Sequence, residues 1–237
     1  MTKTKKQTLI VTILIAIILM ADQALKIWVK THMQIGEEIP LIGSWCKLHF
    51  VENVGMAFGV ALGGSIGKLL LTSFRILASA GVMWAIVHFI RKGSRSLFII
   101  SLALIFVGAV GNLIDSCLYG IIFNESYYSV AQLFPPEGGY APFLFGRVVD
   151  MFYFPIIETT LPNGRPFVFF SAIFNIADAA ITIGISLLII DYIIVENRRK
   201  KENATKPTPT DESCDTTTPW HTINNTEPAT DSESGDC

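Results

Sequence analysis

Two aspartates are distinctive because each lies in an apolar stretch of the chain. Asp150 occurs in GRVVDMFYF and Asp178 in AIFNIADAAITIG, and neither is followed by a basic residue within four positions. Two carboxyl groups brought together at low dielectric cannot both ionise, so one of them keeps a proton. Such a pair can activate water with one member and protonate a leaving group with the other, which hydrolyses an amide. From spacing alone, a proton relay or simple helix packing also accounts for these acids.

Further polar residues occur in apolar stretches, where an ionisable group costs about 2.5–3.5 kcal/mol in a membrane and is functional by default. They form pairs at helical spacing: Asp22 with Lys26, Asn112 with Asp115, and Asn175 with Asp178. The first pair can be a structural ion pair or an interfacial anchor as well as a catalytic one. The second can tie a helix to an external platform. We expect Arg75 to meet lipid phosphates, or alternatively a substrate phosphate or lipid.

Other hydrolytic signatures are absent from the sequence. It contains no G-x-S-x-G and no H-E-x-x-H motif. None of the four histidines has zinc-ligand partners, and no pair of the four cysteines is spaced like a metal or redox motif. We therefore expect no metal and no cofactor.

The elements that must position the acids are four long apolar runs. The chain is 51% hydrophobic and 16% charged, whereas soluble domains are roughly 25% charged. A bilayer span takes about 20 residues, and the runs that are long enough are residues 8–29, 69–90, 97–119 and 167–195. The predicted fold class is an all-α integral membrane protein with four transmembrane helices. Strand and turn patterns in segments 30–68 and 120–166, including Val51, Val54 and Phe58, predict a small external β-platform.

Basic residues set the orientation of the four runs. Clusters occur at residues 3–6, 91–95 and 197–202, and all three fall on one side of the membrane if the chain crosses it four times. Both termini are then cytoplasmic, and the acids converge toward the outer leaflet. A cleavable signal peptide is the alternative at the N-terminus, but the first run continues past Asp22 without an A-x-A site. The net charge of −2 gives no indication of nucleic-acid binding.

We interpret residues 1–196 as one four-span domain and residues 197–237 as a cytoplasmic tail. The tail is rich in Thr, Ser, Pro and acidic residues. Such a composition cannot bury enough apolar surface to fold, so the tail is predicted to be disordered.

Five motifs occur in one order along the chain: DQALK (22–26), ENVGMAFG (52–59), GAVGNLID (108–115), GRVVDMF (146–152) and FNIADAAITIG (174–184). Together they closely resemble the bacterial lipoprotein signal peptidase, or signal peptidase II. The resemblance implies an aspartic endopeptidase of the inner membrane with its site toward the periplasm. Its substrate would be a diacylglyceryl-modified prolipoprotein, cut just before the lipidated cysteine. Prolipoprotein, membrane lipid and globomycin-type inhibitors are the implied partners, and nucleic acid is not.

The resemblance also assigns roles to individual residues. It makes Asp150 and Asp178 the catalytic acids. The residues that match the family's supporting set are Asp22, Lys26, Asn53, Asn112, Asp115 and Asn175. Gly55, Ala57 and Phe58 fall on the strand that, in the family, lines the substrate cleft.

Two departures from the family pattern concern the region around Asp115. Arg usually follows this Asp, whereas the chain has Ser116, and Arg147 is our candidate for the missing charge. Asp115 and Asp150 lie 35 residues apart, which is more than in most relatives. The insertion, roughly residues 121–145, is of a type we associate with Bacteroidetes. We expect it to extend the external platform over the cleft.

A small proton-coupled transporter that uses the same acids as a relay is the alternative function. Transporters often carry two matching repeats with broken helices. No such repeat occurs in this sequence.

Overall fold

A computed structural model describes residues 2–54, 64–161 and 163–205. Its helices are α1 (Lys3–His32), α2 (Gly64–Arg91), α3 (Ser96–Ile114), α4 (Gly120–Ile122) and α5 (Ile176–Thr205), and a π-helical turn at Asp115–Tyr119 joins α3 to α4. Among the described residues, four helical stretches are long and apolar enough to cross a membrane: Lys3–His32, Gly64–Arg91, Ser96–Ile122 and Ile176–Asn203. The prediction of four transmembrane helices is confirmed.

The outward faces of these helices are apolar, as a lipid environment requires. On α2, for example, Leu70, Phe74, Leu77 and Trp84 are all exposed. The polar residues of α2 lie on the opposite side, where Lys68, Thr72 and Ser79 are buried. The helix therefore faces lipid with one side and the protein interior with a polar stripe.

A small antiparallel sheet confirms the predicted platform. Its strands are β1 (Glu38–Ile42), β2 (Cys46–Asn53), β3 (Val148–Tyr153) and β6 (Ile173–Phe174), in the order β1-β2-β3-β6. A separate hairpin pairs β4 (Ile157–Thr160) with β5 (Pro166–Phe169). The sheet packs on the ends of α1 and α3 through a cluster of buried apolar residues that includes Val29, Met33, Phe50, Tyr119, Phe123, Val149 and Met151.

Two predicted boundaries differ from the structure. The fourth apolar run was predicted to span from residue 167, but β5 and β6 occupy its start and α5 begins only at Ile176. The sequence before Ile176 is rich in Phe and Val, so its hydropathy resembles that of a helix although these residues favour strands. The strand predicted around Val51 ends at Asn53, so Val54 lies beyond it. Phe58 lies outside the described residues.

Glycines allow α3 to approach α1 and α5 closely. A Cβ atom on Gly111 would lie 2.8 Å from Asp22 Oδ2 and 3.0 Å from Ala177 Cβ, and one on Gly108 would overlap the carbonyl of Ala177. Small residues are the usual means by which membrane helices pack backbone against backbone. Their positions in GAVGNLID bring the polar ends of three helices together.

The insertion folds back along the end of α3. The backbone N–H groups of Gly146, Ala141 and Phe134 donate to the carbonyls of Ser116 (2.9 Å), Gly120 (2.9 Å) and Ile122 (2.7 Å). The last carbonyls of a helix have no partner within it, and here the insertion supplies that partner. The insertion therefore forms an addition to the end of α3, and its extension over the cleft remains a prediction. Residues Met1–Asn197 form one compact unit, and the disordered tail remains a prediction.

Candidate active site

Asp150 and Asp178 are brought to one site by the end of the sheet. Asp150 lies in the middle of β3, opposite Val51 of β2. Strand β6 pairs with β3 through Phe152 and Phe174, and it leads directly into α5. Asp178 lies in the first turn of α5, so the pairing of β6 with β3 places it beside Asp150.

Asn175 connects the two acids. Its side-chain Nδ2 donates to Asp150 Oδ1 at 2.6 Å, while its Oδ1 accepts from the backbone N–H of Asp178 at 2.9 Å. The backbone N–H of Asn175 donates in turn to Asp178 Oδ2 at 3.4 Å. This reciprocal pattern is that of a capping box, in which residues three apart satisfy each other's backbone at a helix start. The spacing of Asn175 and Asp178 therefore serves the helix and the acid pair together.

Asn112 joins Asp178 to a neighbouring ion cluster. Its Nδ2 donates to Asp178 Oδ1 at 2.8 Å, and its Oδ1 accepts from Lys26 Nζ at 3.0 Å and from Asn175 Nδ2 at 3.1 Å. With the oxygen occupied by two donors, the amide nitrogen must point at the carboxyl group of Asp178. Asn112 thus has one orientation.

The ion cluster is centred on Lys26, which is fully buried. Lys26 Nζ has three acceptors: Asp22 Oδ2 at 3.0 Å, Asp115 Oδ2 at 2.8 Å and Asn112 Oδ1 at 3.0 Å. The three hydrogens of an ammonium group match three acceptors. The interpretation of Asp22 and Lys26 as a structural pair accounts for this contact, and Asp115 completes the cluster.

The two carboxylates of the ion cluster also hold neighbouring backbone. Asp22 Oδ1 accepts from the N–H of Ala177 at 2.9 Å, at the start of α5, and Asp115 Oδ2 accepts from the N–H of Val149 at 3.3 Å, next to Asp150. Gln23, which no sequence pattern singled out, donates to both carboxylates. The ion cluster therefore fixes the backbone on either side of the acid pair.

Asp150 is in a different environment from these two carboxylates. It is 5% exposed, and the hydrogen bonds to its side chain come from the amides of Asn175 and Asn53, the latter at 3.4 Å. Burial and the nearby charge of Asp178 raise the pKa of Asp150 to about 7. A proton can therefore reside on Asp150 at neutral pH.

Arg75, which we expected to meet lipid phosphates, is a cation that faces this site. Its Nη1 donates to Ser116 Oγ at 3.0 Å, and it experiences the charges of Asp178, Asp115 and Asp150. The sequence signal that could have found it is the polar stripe of α2, in which Lys68, Thr72, Arg75 and Ser79 recur at helical spacing.

Arg147 does not supply the charge beside Ser116 that we expected of it. Its guanidinium pairs with Glu125, from the insertion, and with Glu52 at 2.9 Å. Lys30 also pairs with Glu52. Although burial opposes it, Lys30 and Arg147 lower the pKa of Glu52. Lys30 lies four residues after Lys26, so its place on the same helix face was readable from the sequence.

A mostly apolar cavity of about 450 Å³ opens beside Asp178. Its lining comes from the turn between β5 and β6, from β6 and from α5, and it includes Phe170, Phe174, Ala179, Thr182 and Ile183. Asp178 is only partly buried, so it faces this cavity. Gly55 and Ala57 lie outside the described residues. Within the described ranges, no three His, Cys, Asp or Glu side chains are grouped as a metal site would require.

Comparisons with known proteins agree on one family. The profile described as Signal peptidase (SPase) II matches residues 14–194. The lipoprotein signal peptidase of Porphyromonas gingivalis is 46% identical over 190 residues, covering 77% of this chain and 82% of that protein. The lipoprotein signal peptidase of Amoebophilus asiaticus is 35% identical over 178 residues, covering 72% of each. A bacterial membrane enzyme solved by the in meso method at 2.3 Å shares the fold, with a TM-score of 0.54 at 24% identity over 85% of this chain and 94% of that one.

Proposed function

The chain belongs to the signal peptidase II family, and from this premise we propose that Asp150 and Asp178 are the two catalytic acids of its aspartic endopeptidase activity. The protein is a multi-pass bacterial membrane peptidase that removes the signal peptide from diacylglyceryl-modified prolipoproteins, just before the lipidated cysteine. The alternative of a proton-coupled transporter is not favoured, because the match extends from the first to the last membrane helix. The observation that carries the site assignment is the contact of Asn175 with both acids.

We assign the shared proton to Asp150 and the negative charge of the pair to Asp178. Asp150 is buried among amides, and its pKa of about 7 allows it to be protonated at neutral pH. Asp178 faces the cavity, and its charge acts on Arg75 more strongly than that of Asp150. Water and substrate can therefore reach the carboxylate, while the acid is held behind it.

The reaction then follows from these positions. The Asp178 carboxylate takes a proton from water, and the water oxygen attacks the scissile carbonyl carbon. Asp150 gives its proton to the carbonyl oxygen, which yields a neutral tetrahedral intermediate. When the carbon–nitrogen bond breaks, the nitrogen takes the proton held by Asp178, and Asp150 recovers a proton from the collapsing hydroxyl.

Asn112 and Asn175 hold the carboxyl groups in place during this sequence. Each directs an amide N–H at one acid, Asn112 at Asp178 and Asn175 at Asp150. An amide donor stabilises a carboxylate without adding a charge that would prevent its protonation. Asn53 is a further amide beside Asp150, and Gly55 completes the proposed set from outside the described residues.

The apolar cavity beside Asp178 is the proposed cleft for the substrate segment next to the scissile bond. Its Phe and Ile lining suits apolar side chains, which are favourable to bury at about 25 cal/mol per Å². Globomycin-type inhibitors would occupy the same cleft. Membrane lipid surrounds the exposed apolar faces of the helices.

The proposed orientation places both termini in the cytoplasm and the site on the periplasmic side of the inner membrane. The basic residues near Lys3, at the end of α2 and at the end of α5 support it. The acids lie at the other ends of these helices. Residues 197–237 are proposed to be a disordered cytoplasmic tail.

Cleavage of a lipidated lipobox peptide by the full-length chain in detergent tests the site assignment. Asp150→Asn and Asp178→Asn should each lower kcat at least about 10³-fold, because the proton transfers of the reaction are lost. Asp191→Asn is the matched control, since Asp191 is a buried carboxyl in α5 that pairs with Arg95 at 3.2 Å, away from the site. Near-wild-type cleavage by either site variant, or an equal loss in the control, would show the assignment to be wrong.

A further inference from the structure

Lys68 is a buried cation for which the proposed reaction has no use. It lies in the first turns of α2 and is 8% exposed, and its Nζ is shielded from solvent. The described part of the chain supplies no hydrogen-bond partner for this nitrogen. Burying an unpaired charge costs several kcal/mol. A buried ammonium that the protein itself does not satisfy indicates an external partner.

Lys68 faces a cavity of about 220 Å³ between α2, the insertion and the residues adjoining β2 and β3. Its lining includes Ser65 of α2, Tyr140 and Phe145 of the insertion, Val54 directly after β2 and Arg147 directly before β3. A water molecule takes about 30 Å³ in the liquid, so the cavity can hold a tetrahedral oxyanion. In the part of the chain that the structure describes, it shares no lining residue with the apolar cavity beside Asp178.

The start of α2 adds positive potential to the same cavity. Gly64 and Ser65, the first two residues of this long helix, are part of its lining. The first N–H groups of a helix have no partner within it, and the helix dipole is positive at this end. Helix starts of this kind bind phosphate groups in many proteins.

The surrounding charges do not neutralise Lys68. Arg147 and Lys30 pair with Glu52 and Glu125, so these four groups balance one another. Of the other charges that reach Lys68, Arg75 is positive and Asp115 is already paired with Lys26. The cavity therefore carries excess positive charge.

We propose that this cavity binds a phosphate group, held by the ammonium of Lys68 and the first backbone N–H groups of α2. The phosphate is that of a membrane phospholipid headgroup or free inorganic phosphate, both of which offer the same tetrahedral oxyanion. An occupied site would attach the start of α2 to the insertion through the ligand.

Two binding measurements on the full-length chain in a phosphate-free detergent distinguish these sources. Calorimetric titration with inorganic phosphate tests the free ion, and native mass spectrometry with added phosphatidylglycerol tests the headgroup. Lys68→Gln should weaken binding of the true ligand about tenfold or more, because a charge-assisted hydrogen bond is lost. Lys92→Gln, which removes an exposed cation at the other end of α2, should leave the binding of phosphate and of phosphatidylglycerol unchanged.

Lys68→Met is the second variant, because it keeps the length of the side chain without its charge and suits a buried position. Loss of phosphate binding in both Lys68 variants supports a free-phosphate site, and loss of phospholipid binding alone supports a headgroup site. If wild type binds neither ligand, or if both Lys68 variants bind as wild type does, the proposal is wrong. Peptide cleavage measured in parallel reports on the acid pair separately.

Discussion

Two pairs of aspartates lie side by side in this protein and differ in the groups that donate hydrogen bonds to their carboxyl groups. Asp22 and Asp115 both contact the ammonium of Lys26, and each also accepts a backbone N–H. Asp150 and Asp178 accept from the side-chain amides of Asn175 and Asn112. The first pair surrounds a cation, whereas the second is proposed to share a proton. Under the proposed function, the same side chain is thus structural or reactive according to the donors around it.

The largest expected effect tests the structural pair. Lys26→Met leaves Asp22 and Asp115 buried without their cation, so we expect it to lower the free energy of unfolding by about 3–5 kcal/mol. Thermal unfolding of the full chain in detergent measures this loss. Lys92→Met is the control, because Lys92 is exposed.

Recovery of part of the lost stability in a further variant would show that the uncompensated charges cause the loss. Asn at positions 22 and 115, added to Lys26→Met, removes the uncompensated charges and should restore part of the stability. If Lys26→Met were as stable as wild type but inactive, the ion cluster would belong to the reaction instead.

A smaller effect is expected where the two pairs meet, at Arg75. Arg75→Gln should lower kcat/KM about 10- to 100-fold, because the charge beside Ser116 and the acids is lost. Adding Ser116→Arg to this variant should recover part of the activity, since it returns a guanidinium to the same place from the π-helical turn that follows α3. Arg95→Gln, at the other end of the helices, is the control. If kcat/KM of the double variant were no higher than that of Arg75→Gln, the role of Arg75 would be limited to packing.

The pH dependence of cleavage is the finest test of the difference between the two pairs of aspartates. Since the pKa of Asp150 is about 7, its proton is present below this pH and is lost above it. We therefore expect kcat/KM to fall as pH rises through about 7, by about tenfold per unit at higher pH. The raised pKa also means that the folded state binds this proton more tightly than the unfolded chain does.

The proton on Asp150 is also expected to make the stability of the protein depend on pH. The contribution of Asp150 to the free energy of unfolding falls as pH rises from its ordinary pKa toward about 7. Asp150→Asn should remove this part of the pH dependence. Activity that stays constant to about pH 9 would mean that the shared proton is not on Asp150.

The sequence predicted the four spans and the platform. It also singled out the polar helix residues that the structure places around Asp150 and Asp178, because polar groups in apolar helices are rare enough to be informative, whereas their supporting roles remain a prediction. It did not predict Arg75, since a cation near a helix end also suits lipid phosphates and only the fold shows Ser116 opposite it. Glu125 pairs with Arg147 across the insertion. No local sequence pattern indicates a contact between residues so far apart along the chain. The start of α5 was misplaced because hydropathy does not separate a buried strand from a helix.

The contacts along the end of α3 have a consequence for how this family can change. The insertion begins after the end of α3, and the chain returns to this end at Gly146. The N–H of Gly146 is fixed there by its hydrogen bond to the carbonyl of Ser116. The strand that carries Asp150 therefore starts from the same place whatever the length of chain between. Evolution can lengthen or shorten this loop, and alter the outer surface of the protein, without moving Asp150 or Asp178.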